Sequence, residues 1–152
     1  MAVTVSYESQ IQFDIAQFER IARKAMSLLD YQDFDLGILL TNDETIHEYN
    51  KMYRQKDTAT DILSFPYYPE LRAGERINAI DADEKNLGDI IISLEYVAQD
   101  AQRWNQTFQE RVVVLLVHGL FHLLGYDHEV DEDYIIMKER EDWLLKQLED
   151  HA

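Results

Sequence analysis

The stretch Val112–Tyr126, VVVLLVHGLFHLLGY, restricts the fold more than any other part of the chain. It is the most apolar run of the chain, so as a helix it must be covered on most sides. A bilayer could cover it, but a membrane helix needs roughly 20 apolar residues. This run is shorter and carries two histidines and a glycine. We therefore read it as a buried core helix, which requires a domain large enough to wrap it. A chain of 152 residues is long enough to do so as one domain, 1–152. No internal repeat or low-complexity linker argues for a second. The composition, 46% hydrophobic and 29% charged, is that of an ordinary globular protein.

Around that helix the other elements can be placed. Alternation and β-branching predict a strand at Val3–Tyr7. The spacing of Ile15, Phe18, Ile21, Ala22, Ala25 and Leu28–Leu29 predicts an amphipathic helix over Ile15–Leu29. Asp35–Leu40 reads as a strand, and Thr41-Asn-Asp-Glu44 as a capping box for a helix to about Tyr53. Asp61–Phe65, stopped by Pro66, and Leu87–Ser93 are two further strands, separated by an irregular acidic loop, Tyr67–Lys85. Ser93 caps a helix over Leu94–Trp104. Thr107-Phe-Gln-Glu110 is a second capping box and opens the core helix, which reaches Leu124. The last helix, Glu132–Leu148, turns Tyr134, Met137, Leu144 and Leu148 inward. This order predicts an α/β or α+β layered domain with a mixed sheet of about four strands and about five helices. Strand order does not follow from it.

The chain has no cysteine, so any metal must rest on His, carboxylate or carbonyl groups. That composition suits a reducing cytosol. The N-terminal MAVTVSYESQ lacks the basic and apolar regions of a signal peptide. The expectation is a cytoplasmic protein with no membrane partner. A net charge of −16 argues against broad clinging to nucleic acid, and DNA is not expected as a partner. The acidic excess gathers at Asp81–Glu84 and beyond Glu129. Lys51–Lys56, KMYRQK, runs the other way and offers a local cationic site.

Chemistry concentrates in His118-Gly-Leu-Phe-His122-Leu-Leu-Gly125-Tyr-Asp-His128. Histidines four apart on a helix share a face, with Cβ atoms roughly 5–6 Å apart, close enough to grip one ion. Gly125 can turn left-handed and end the helix, letting His128 swing back as a third ligand. Three imidazoles leave a coordination position open, as a catalytic zinc site requires. Nickel, cobalt or copper would also suit them, so a recombinant sample could carry another ion. His47 and His151 lack such company and read as surface residues. The spacing also matches the metzincin proteases, but Gly119 stands where those enzymes carry their catalytic glutamate. A peptidase or amidase reading is weakened accordingly.

The segment HGLFHLLGYDH, residues 118–128, resembles the signature of the bacterial YbeY family of rRNA-maturation endoribonucleases. Tyr53-Arg-Gln-Lys-Asp57 with Thr60-Asp-Ile-Leu-Ser-Phe-Pro66 is similar to the family's YRxKDxxTDVLSFP block. Leu87-Gly-Asp-Ile-Ile-Ile-Ser93 is similar to its LGDIxIS strand. One departure is Ala59, where the family often has proline. The resemblance implies a zinc-dependent endoribonuclease directed at single-stranded RNA. Its implied task is maturation of the small-subunit rRNA 3′ end and ribosome quality control, with the small ribosomal subunit as partner. It carries the metal ligands onto His118, His122 and His128 and a functional arginine onto Arg54.

On that reading the ion acts as a Lewis acid or activates water, while Arg54 holds the non-bridging phosphate oxygens. Arg54 could instead form a surface ion pair with Asp57 or Asp61. Asp127 could orient a histidine or cap the turn. Tyr53, Phe65, Tyr67 and Tyr68 could stack on bases, Tyr67 and Tyr68 as the exposed loop candidates. Asp61 and Asp89 stay outside the catalytic set. Water and the RNA 2′-hydroxyl both remain open as nucleophile. A noncatalytic assembly factor, stabilised by its metal, is the other alternative.

Overall fold

The computed structural model describes residues 2–150. Among these, β1 (Val3–Tyr7), β2 (Asp35–Thr41), β3 (Ile62–Pro66) and β4 (Asn86–Ser93) form one sheet in the order β1-β2-β4-β3. β1, β2 and β4 run parallel, and β3 lies antiparallel against β4. Five α-helices lie among the described residues: α1 (Ile15–Leu28), α2 (Asp43–Arg54), α3 (Leu94–Asp100), α4 (Phe108–Leu123) and α5 (Asp131–Asp150). The architecture is α+β with a mixed sheet, as the element pattern predicts. The strand order has a cause visible in β4. Its run Ile90-Ile91-Ile92 is apolar on both faces, which suits a strand flanked and covered on both sides. β3 is left at the edge.

Alternation along the strands separates two cores. Leu36, Ile38, Leu40, Ile90 and Ile92 face α1, α4 and α5 and form the main one. Ile91 and Leu63 point the other way and meet Ile46 of α2 in a smaller cluster. The apolar helix is buried within the main core, with Val112, Leu116, Val117, Leu120 and Phe121 almost wholly covered. None of the helices among the described residues is long and apolar enough to cross a membrane.

Most helix starts follow the sequence. The Thr107 hydroxyl accepts from the Glu110 N–H at 3.1 Å, and the Glu110 carboxylate accepts from the Thr107 N–H at 3.0 Å, closing the capping box. Ser93 accepts from the Tyr96 N–H at 3.2 Å. The predicted Thr41–Glu44 box does not form. Thr41 is the last residue of β2, its hydroxyl donates to Glu8 at 2.8 Å, and Asn42 takes the cap position. The Asp43 N–H is satisfied by Glu95 instead, at 3.2 Å. The helix predicted over Leu94–Trp104 tightens into a 3-10 turn at Ala101–Trp104.

Helix α5 buries Met137, Leu144 and Leu148, but Tyr134 is 54% exposed. The inward stripe begins at Met137, because the first turn of α5 overhangs the core. The loop between β3 and β4 is irregular, as predicted, yet anchored. Ile77 is buried and its N–H donates to the Tyr31 hydroxyl at 3.1 Å. The Arg76 guanidinium lies 3.9 Å from the Tyr31 ring centroid.

Candidate metal centre

The end of α4 is built by Gly125. Its φ is +91°, and its N–H and that of Tyr126 donate back to the carbonyls of His122 and Phe121 at 3.1 and 2.9 Å. These are the paired bonds of a glycine-terminated helix, and the accompanying apolar contact is the Tyr126 ring against Phe121, centroids 5.2 Å apart. A Cβ at position 125 would stand 2.3 Å from the Leu71 carbonyl oxygen, so the β3–β4 loop also requires a glycine here. The reversal returns His128 to the two helix histidines. One ligand-capable atom of each of His118, His122 and His128 lies within 4.8 Å of the others. The three residues could hold a metal ion.

The hydrogen bonds of the rings decide which nitrogens would do so. His122 Nδ1 is 3.0 Å from the Tyr126 carbonyl oxygen, which can only accept, so Nδ1 carries the hydrogen and Nε2 the lone pair. His118 Nδ1 is 2.6 Å from the Glu141 carboxylate, which fixes the same tautomer. The two Nε2 atoms then face each other at 3.0 Å. Two lone pairs at that separation repel unless a metal ion, or a proton shared by the rings, stands between them. Ligands about 2.0–2.1 Å from one tetrahedral zinc would lie roughly 3.3 Å apart, so the pair nearly fits an ion as it stands.

Burial, and then the neighbouring His118 and His128, push the His122 pKa down to about 4. In the unfolded chain an ordinary histidine titrates near 6.5. The folded metal-free protein therefore favours neutral His122, a contribution present above pH 6.5 and lost as pH falls toward 4. We expect urea midpoints of metal-free protein to decline across that window. His122→Gln should flatten the part of the decline due to this ring.

The sequence reading missed Glu141. It lies on α5, four residues after buried Met137 and three before buried Leu144, where the inward stripe calls for an apolar side chain. A carboxylate in that register was the available signal. Its work is to orient His118, and partners of this kind typically govern metal affinity ten- to hundredfold. We expect Glu141→Ala to weaken metal binding by about that factor, read by competition with a chromophoric chelator. Asp127 takes the capping alternative, accepting from the His128 N–H at 2.7 Å.

Arg54 shares a cleft of about 530 Å³ with the three histidines, Asp61, Ser64, Tyr126 and Asp127. It makes neither of the ion pairs considered for it. Asp57 pairs with His47 at 2.6 Å, and Asp61 lies 3.6 Å from Arg111. Arg54 instead reaches across β3, donates to the Ser64 carbonyl and lies 5.1 Å from the Phe65 ring centroid. It thereby covers an unpaired carbonyl of the edge strand. His47 is a partly exposed residue away from this cleft, and His151 lies outside the described residues. Tyr67 and Tyr68 do not line the cleft. Their hydroxyls donate to the carbonyls of Asp83 and Glu84 and tie the loop together. Asp89 opens on the other face of the sheet.

Position 119 faces the sheet. A Cβ there would lie 3.0 Å from Cδ1 of both Ile62 and Ile90, and 3.2 Å from Ser64 Oγ. A protease-type glutamate at this point would have to displace these side chains.

A model of the family described as Endoribonuclease YbeY matches residues 4–149. The Endoribonuclease YbeY of Clostridioides difficile (strain 630) is 35% identical over 134 residues, covering 86% of this chain and 84% of its own. That of Homo sapiens is 36% identical over 121 residues, covering 80% and 72%. The solution structure of TM1509 from Thermotoga maritima shares the fold, with a TM-score of 0.59 at 20% identity over 99% of this chain and 93% of that one. Matched along nearly its whole length, the chain belongs to the Endoribonuclease YbeY family.

Proposed function

We propose that this chain is a metal-dependent endoribonuclease that cuts single-stranded RNA. Its task is maturation of the small-subunit rRNA 3′ end and ribosome quality control in the cytoplasm, acting on the small ribosomal subunit. Zinc is the proposed native ion, with nickel or cobalt able to replace it in a recombinant sample. The observation that carries the reading is the convergence of His118, His122 and His128, ligand atoms within 4.8 Å of one another, in a cleft that also holds Arg54. Family membership supports the RNA substrate.

The chain's own residues divide the work. His118, His122 and His128 would hold the ion, with Glu141 and the Tyr126 carbonyl fixing the tautomers of the first two. When bound, the ion supplies Lewis-acid polarisation of a phosphoryl oxygen. Neutral ligands leave its charge uncancelled, so the cleft turns locally cationic on an acidic protein. A guanidinium has five N–H donors, and the Ser64 carbonyl uses only part of them. The others are free to grip non-bridging oxygens as negative charge builds.

Cleavage of labelled single-stranded and duplex RNA by purified protein, before and after chelation, tests the proposal. The single strand should be cut and the duplex spared. Chelation should abolish cutting while the far-ultraviolet circular dichroism spectrum persists. Loss of the folded signal on chelation would identify the ion as structural and favour the assembly-factor alternative.

A further inference from the structure

The sheet face turned away from α4 carries a second groove, about 810 Å³, between the strands and α2. Its wall at the β3 edge is aromatic. Tyr49 stacks on Tyr53 with centroids 5.9 Å apart, and Tyr53 meets Phe65 edge-on at 5.6 Å. Tyr53 is 55% exposed, so its ring is available to a partner. Phe65 lines this groove while its neighbours Ser64 and Pro66 line the metal cleft. Successive residues of a strand point to opposite faces, and β3 is therefore the ridge between the two depressions. Arg54 spans that ridge, lining the cleft with its head 5.1 Å from the Phe65 centroid.

A nucleotide is divided in the same way, into an anionic phosphate and an aromatic base. The charges of this region sort the two halves. Arg54 lies on the cleft side, and exposed Lys51 and Lys56 flank Tyr53 and Arg54 in the chain. In the groove the charge is opposite. The Asp89 carboxylate lies over Gly37, its Oδ1 only 2.2 Å from where a Cβ at 37 would stand. A carboxylate there repels phosphate but accepts hydrogen bonds from base N–H groups. Aromatic platforms bind bases of any identity through their π-faces. A base held in a duplex is not free to splay out onto such a platform, whereas one in a single strand is.

We propose that the Tyr53–Phe65 face is a nucleobase subsite. With an RNA phosphate at Arg54 and the histidines, the adjoining base crosses the β3 edge and stacks on Tyr53. This rests on the ribonuclease reading above, and it supplies a reason for single-strand preference.

The test uses RNA oligonucleotides that each carry one abasic nucleotide, stepped through the positions around the cut. Metal-loaded wild type, Tyr53→Ala and Tyr53→Trp are compared by kcat/KM, with urea midpoints as the control for folding. At one position the missing base should cost wild type about tenfold, the usual scale of base–aromatic stacking. Tyr53→Ala should lose a similar factor on intact RNA and nothing further at that position, and Tyr53→Trp should restore both. No loss in Tyr53→Ala overturns the subsite, as does an equal loss on every substrate including the abasic one. The latter would mean that the substitution had only displaced Arg54. Wild type that cuts no single-stranded RNA at all sinks the ribonuclease reading itself, and the subsite with it.

Discussion

Replacing His122 with alanine is expected to abolish stoichiometric metal binding and to lower RNA cleavage by at least about a thousandfold. The size follows from what the ion supplies, several kcal/mol of charge stabilisation in the transition state, at 1.36 kcal/mol per factor of ten. His122 is the ring whose loss should be cleanest. Its centroid lies 4.5 Å from that of His118 and 5.1 Å from that of His128, and its Nε2 faces that of His118. The fold should survive, because Ala is a strong helix former and the lost bond to the Tyr126 carbonyl is worth only about 1 kcal/mol. Unchanged circular dichroism with absent metal and absent cleavage is the expected triple. A His122→Ala protein that still cleaves RNA at the wild-type rate would remove the ion from the chemistry.

Arg54→Ala should separate the two losses, with metal retained and cleavage reduced about a hundred- to thousandfold, the usual cost of deleting one preorganised donor to a developing anion. The guanidinium makes no hydrogen bond to a histidine. Its contacts are the Ser64 carbonyl and the Phe65 face, so the metal-binding isotherm should not move. Arg54→Lys should recover only part of the rate, since an ammonium lacks the planar fork that grips two oxygens at once. Chelator competition and kcat measured on the same samples separate the two functions. Equal loss of metal and activity would mean that Arg54 shapes the site, and unchanged activity would mean that it merely covers the strand edge.

What the sequence made legible was local. The His118/His122 pair follows from four-residue spacing on a helix, and His128 from the glycine that reverses the chain within three residues. The Thr107 and Ser93 caps follow from side chains acting on backbone three residues away. The failures needed knowledge of which elements meet. Glu141 stands 23 residues from His118 and reaches it only because α5 packs against α4. Thr41 does not cap α2 because β2 runs through it and Asn42 takes the cap position, while its hydroxyl donates to Glu8, brought alongside by pairing of β1 with β2. Tyr134 has the right spacing for the inward stripe of α5, but the core ends one turn short of it. Arg54 was readable as a candidate, and its position across β3 depended on that strand being at the edge of the sheet. The family resemblance supplied the RNA substrate, which no single residue spells out.

X-ray absorption spectroscopy at the metal edge of the purified protein tests the arrangement of the three rings most directly. One ion per chain, with three imidazole nitrogens at about 2.0–2.1 Å if zinc is bound, is the predicted result. An ion coordinated only by oxygen, or one whose imidazole signal persists undiminished in His122→Ala, would contradict it.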